Sequence, residues 1–138
     1  MPLEEFRRSM RLFSGGAIEI TAEIETVFLS LVRVGDDGRI RPRLSRANHL
    51  RILRAAWEQD VRALLRKLRV PTLVLGVRSA SASSDTGFLR EKERAARFVR
   101  SIGDPVRFAW VEGIHDIPLQ RPGMLARRIE RFTRQAVG

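Results

Sequence analysis

Two histidines supply all the imidazole in this chain of 138 residues, and their surroundings differ. His49 falls in the first turns of a helical pattern, where a half-exposed surface histidine is the expectation. His115 stands in VEGIHDIPLQRP, residues 111–122, between a strand-like run and a helix-like run. A neutral imidazole with a pKa near ~6.5 can take a proton from a hydroxyl and return it to a leaving group. That chemistry also needs a nucleophile to activate and an acid to orient the ring. Asp116, directly after His115, points elsewhere and reads as structural. The chain contains no cysteine, which excludes a disulfide framework, a thiolate nucleophile and a zinc–thiolate site.

The elements that would position His115 begin near residue 70. VPTLVLGV, residues 70–77, is a continuous apolar run, the pattern of a strand buried on both faces of a parallel sheet. Pro71 is tolerable at its start, where the strand need not donate to the ladder. RSASASSDTG is a loop of small and polar residues. FLREKERAARFVRSI then reads as a helix that Gly103 ends. VRFAWVEG reads as a second strand. After the histidine loop, Pro122 suits the first position of a closing helix, GMLARRIERFTRQAV. The order β-α-β-α predicts two adjacent parallel strands over 70–75 and 106–111, joined by a right-handed crossover through a helix near 88–102. His115 and the 79–87 loop would then share the carboxyl edge. Two strands are too few for a stable sheet, so the segment reads as the end of a larger one.

Upstream the pattern is helical. Residues 3–13 and 17–33 carry apolar side chains at three- and four-residue spacings, with Ser14 to Gly16 as the turn between them. VGDDGRIRPRLS reads as a polar connector. From an N-cap at Ser45, the stripe Leu50, Leu53, Trp57, Val61, Leu64, Leu65, Leu68 marks a long amphipathic helix, interrupted near Asp60.

Composition sets the frame. Apolar residues at 43% and charged ones at 30% describe a globular chain rather than a disordered one. The charged opening MPLEEFRRSM lacks the apolar core of a secretory signal, and no run approaches the ~20 apolar residues of a membrane span. A cytoplasmic location with no membrane association is the expectation. A net charge of +10 raises the possibility of a nucleic-acid partner. Yet only Lys67 and Lys92 among 26 basic residues are lysine, and the arginines spread along the chain without a tight basic tract. General arginine bias accounts for that distribution better than a nucleic-acid surface does.

LRVPTLVLGV, the loop and helix after it, VRFAWVEGIHDIPLQRP and the closing helix together resemble the C-terminal third of the α/β-hydrolase fold. The resemblance covers residues 68–135. It implies that residues 1–67 are a helical cap-like region with its connecting helix, and residues 68–138 a β-α-β-α unit, an incomplete α/β-hydrolase sheet. It implies His115 as the catalytic base. The triad acid would follow the penultimate strand, where Gly76, Val77, Arg78 and Ser79 offer no carboxylate. Asp85 is the first acid of that loop and the candidate, unless the acid follows an earlier strand outside this chain. The nucleophile elbow Gly-x-Ser-x-Gly occurs nowhere. Ser14 in FSGGA has no glycine two residues before it, and the serines between 81 and 84 lie in a loop.

The resulting expectation is an α/β protein that forms the C-terminal portion, or a split half, of a serine hydrolase acting on an ester or similar acyl bond. It would be inactive alone and need no cofactor or metal. Its partner would be the missing N-terminal half, or a second copy through open strand edges, with a small-molecule substrate once completed. A non-catalytic interaction module that reuses the fold is the alternative, and a basic nucleic-acid-binding protein a further one.

Overall fold

The computed structural model describes residues 1–79 and 86–137. The chain divides into two compact units, Met1–Gln59 and Asp60–Gly138, and its architecture is mixed α/β.

The first unit holds α1 (Leu3–Leu12), a 3-10 turn (Phe13–Gly16), α2 (Ala22–Ser30), β1 (Val32–Val34), β2 (Ile40–Pro42) and α3 (Arg46–Glu58). Helical periodicity over 17–33 predicts a longer α2 than the one found. Thr21 sets the start, because its hydroxyl accepts the Ile24 N–H at 3.3 Å and Glu23 and Glu25 complement the first turn. The helix then gives way to β1, whose β-branched Val32 and Val34 pair antiparallel with Pro42 and Ile40. The polar connector is therefore a hairpin. Gly38 takes its positive-φ position (φ 66°), and the Asp37 carboxylate accepts the Arg39 N–H at 3.1 Å. Met1 accepts the Ile40 N–H at 2.9 Å, tying the start of the chain to the hairpin. Met10, Ile18, Ile24, Phe28 and Val32 form the buried core, with the Phe13 ring edge-on to Phe28 at 5.2 Å.

Ser45 caps α3 by accepting the Asn48 N–H at 3.2 Å. The helical stripe is interrupted where expected, since Asp60 starts a new helix, α4 (Val61–Arg66), by accepting the Ala63 N–H at 3.0 Å. The apolar stripe of α3 stays in solvent, and Trp57 is 90% exposed.

The second unit adds β3 (Thr72–Arg78), α5 (Thr86–Ile102), β4 (Val106–Glu112), α6 (Ile117–Gln120) and α7 (Pro122–Val137) to α4. β3 and β4 are adjacent and parallel, in register from Thr72↔Val106 to Arg78↔Glu112, with α5 as the crossover. Gly103, at φ 71°, ends that helix, and its carbonyl accepts the Val106 N–H at 2.8 Å, so β4 begins directly after the turn. The core is Ala96 and Val99 of α5, Val106 and Val111 of β4, and Ile117. The continuous hydrophobicity of residues 70–77 predicts burial on both faces, whereas Thr72 through Val77 are only half-buried. Among the described residues β3 pairs only with β4, so its outer edge has no neighbouring strand. No helix among the described residues is long and apolar enough to cross a membrane.

Candidate functional site

The carboxyl end of the parallel pair is built around one glycine turn. Gly113 donates its N–H to the Arg78 carbonyl at 3.0 Å, which carries the ladder one residue past β4. A Cβ there would collide with the Ile117 side chain and lie 2.6 Å from Gln120 Oε1. Only a bare backbone lets those two side chains fold over the turn. Gln120 uses the approach, since its Oε1 accepts the Ile114 N–H at 3.0 Å. The Asp116 carbonyl accepts the N–H groups of Leu119 and Gln120 at 2.9 and 3.0 Å and so starts α6, a single turn absent from the sequence expectation. Pro122 opens α7 at the predicted position.

This turn leaves His115 exposed at the rim of a recess of about 450 Å³. Val74, Gly76 and Trp110 of the sheet, Ala96 of α5 and Pro118 of α6 help to line it. A Cβ on Gly76 would sit 2.5 Å from Phe108 Cζ and 2.7 Å from Trp110 Cζ3, so both rings lie over its bare backbone. The rings meet edge to face at 5.0 Å. Lys92 of α5 reaches the same recess, donating to the Val77 carbonyl at 2.8 Å with its ammonium 4.6 Å from the centre of the Phe88 ring.

The recess thus combines an apolar, aromatic wall with the His115 imidazole and the Lys92 ammonium at the end of β3 and β4, where open α/β sheets place their ligand sites. Among the described residues no carboxylate lines it. Among the described residues no group hydrogen-bonds to the His115 ring. Asp85, the expected orienting acid, lies outside the described residues, as do the serines at 81–84. Ser14 falls in the 3-10 turn between α1 and α2, not in a strand-to-helix elbow. His49 sits exposed on α3. No cluster of three metal-ligating side chains occurs among the described residues.

Sequence reasoning missed Lys92 and Gln120. Lys92 shares a helical stripe with the buried Ala96 and Val99 (i, i+4, i+7), a spacing that could have singled it out. The Gln120 contact depends on a one-turn helix that has no periodic signature. Compared with protein families, curated proteins and solved structures, the chain yields no match in any of the three.

Proposed function

We propose that this chain is the cap-like and C-terminal portion of an α/β-hydrolase-type serine hydrolase acting on an ester or similar acyl bond. The observation that carries the reading is the place of His115, three residues beyond a β4 that runs parallel to β3 across the α5 crossover. The β3–β4 pair is then the end of a larger sheet, which accounts for its half-buried strands and open outer edge. His115 removes the proton of a serine hydroxyl supplied by another segment as the oxygen adds to the acyl carbon. It delivers that proton to the leaving group, then takes one from a water whose oxygen adds to the acyl carbon, and returns it to the serine oxygen as the acyl–serine bond breaks. Asp85 is the proposed orienting acid.

A second reading, an interaction module without catalysis, draws on the same open β3 edge. Esterase assays separate the two. The chain alone should hydrolyse p-nitrophenyl acetate no faster than free imidazole, because its sequence holds neither a Gly-x-Ser-x-Gly elbow nor a His-Gly segment of the oxyanion-hole type. Co-expression with the coding sequence adjoining its gene should supply a Gly-x-Ser-x-Gly segment and restore turnover that His115→Ala abolishes. Turnover insensitive to His115→Ala, or an adjoining sequence without the elbow, would overturn the hydrolase reading, whereas turnover by the chain alone that His115→Ala abolishes would mean that this chain carries its own nucleophile.

A further inference from the structure

On the α7 side of the strand pair lies a second recess, of about 390 Å³, in the size range of small-molecule clefts. Leu73 and Ala109 of the sheet and Met124 and Phe132 of α7 supply apolar walls. Arg107, Arg127, Arg128 and Arg131 supply the polar ones, and among the described residues no carboxylate lines the recess. We propose that this recess binds a small anionic amphiphile, an alkyl chain that ends in a carboxylate or phosphate.

The position of the arginines carries the inference. Met124, Arg128, Arg131 and Gln135 follow i, i+4, i+7, i+11 spacing and form one stripe of α7 along the recess. A helix laid along a sheet ordinarily turns an apolar stripe towards it. Here the half-buried stripe of Met124, Leu125, Arg128, Phe132 and Ala136 holds one guanidinium group, that of Arg128, with the exposed Arg127 and Arg131 beside it. Among the described residues, Arg127, Arg128 and Arg131 form no ion pair. Arg107 has only Asp104, at 3.4 Å between two well-exposed side chains, a pair of little strength. Like charges brought together beside low-dielectric walls repel one another, and an anion between them relieves that repulsion.

Guanidinium forks bind carboxylate and phosphate in paired hydrogen bonds, which gives the head group its chemistry. The walls next to them give the tail its chemistry. A nucleic acid fits less well, since its backbone asks for a track of cations and this cluster converges on one concave spot. The site lies apart from the His115 recess and does not depend on the hydrolase reading.

The test is calorimetric titration of the whole chain with dodecanoate and with dodecyl phosphate, both below micelle concentration. Saturable binding at one site is expected. Inorganic phosphate and dodecanol, each holding half of the chemistry, should bind at least about tenfold more weakly, a difference of ~1.4 kcal/mol. Arg128→Gln/Arg131→Gln should lose about tenfold or more, with its circular dichroism unchanged. Arg94→Gln/Arg97→Gln on α5, an equal change in charge, should leave affinity within about twofold. Equal losses in both double variants, binding of inorganic phosphate as tight as that of the amphiphiles, or binding confined to duplex DNA or anionic vesicles would overturn the proposal. If Arg128→Gln/Arg131→Gln fails to fold, Arg127→Gln on the exposed rim takes its place, and unchanged affinity there would be equally fatal.

Discussion

Ile114 donates its backbone N–H to Gln120 Oε1 at 3.0 Å, so a side chain of α6 closes the turn that presents His115. Ile114 is half-buried, and removing its acceptor leaves that N–H with poorer access to water. Gln120→Leu should therefore lower stability by about 1 kcal/mol and free the turn. Hydrogen exchange at the Ile114 amide should speed up while exchange in the middle of β4 stays slow. Unchanged exchange at Ile114 would show that the turn holds itself and that Gln120 is incidental.

Gly76 should tolerate no side chain. Its added Cβ would lie 2.5 Å from Phe108 Cζ and 2.7 Å from Trp110 Cζ3, inside any real contact, and both rings are already fixed against each other. Gly76→Ala should destabilise the second unit by about 1–3 kcal/mol through overpacking. The measurement is thermal unfolding in a Trp57→Phe background, so that Trp110 alone reports. A variant as stable as its parent would mean that the rings swing away freely and that Gly76 marks no close approach.

In the first unit, the Arg41 guanidinium holds the Asp37 carboxyl below its ordinary value of 3.8, helped by the Arg39 N–H. A carboxyl with a lowered folded-state pKa adds stability above its unfolded pKa and loses it as pH falls through the folded value. Asp37→Asn should thus melt below wild type at pH 6, with the gap shrinking steadily under about pH 4. Both side chains are exposed, so the gap should also narrow in high salt. A gap of the same size at pH 2.5 would assign the effect to the turn geometry rather than to the charge.

The second unit was legible in the sequence to a degree that the first was not, for physical reasons. Residues 70–77 announce a strand by apolar continuity and 106–111 a second one by a looser pattern, and a helix of seventeen residues between them leaves little topological choice. Pro122 and Gly103 mark helix ends by backbone geometry, which is local and survives any tertiary context. The hairpin at residues 32–42 failed that test. Its strands are three residues each, too short for a period of two to stand out against the helical spacing of α2. The Asp-Gly pair in VGDDGRI fits a polar connector as well as a hairpin, and only the flanking β-branched residues favour the hairpin. As for the candidate site, His115 stands out in the sequence because histidine is rare in this chain and this one follows a strand end. Lys92 and the four arginines of the α7 recess depend on which helix faces meet the sheet, and no single segment encodes that.

Among the described residues, the outer edge of β3 has no neighbouring strand. Thr72 donates to the Pro105 carbonyl at 2.9 Å and Arg78 accepts from Gly113 at 3.0 Å, so the even-numbered residues of β3 turn their peptide groups towards β4. Leu73, Leu75 and Val77 therefore turn theirs outward. The Lys92 ammonium, 2.8 Å from the Val77 carbonyl, occupies one of those outward groups and sets a charge at the edge, a device that discourages strand addition. Leu73 and Leu75 have no such cover among the described residues. The chain should therefore self-associate through this edge, weakly at low salt because of the +10 net charge, and more strongly once salt screens it. Lys92→Met should strengthen association by baring the last edge carbonyl. Leu75→Pro should weaken it, since proline removes an outward donor and spares the ladder to β4. Sedimentation velocity at rising protein concentration, in low and high salt, reads both effects, with circular dichroism checking that Leu75→Pro stays folded. A chain that remains monomeric in every condition, or one that associates equally in all three forms, would remove the β3 edge as the contact.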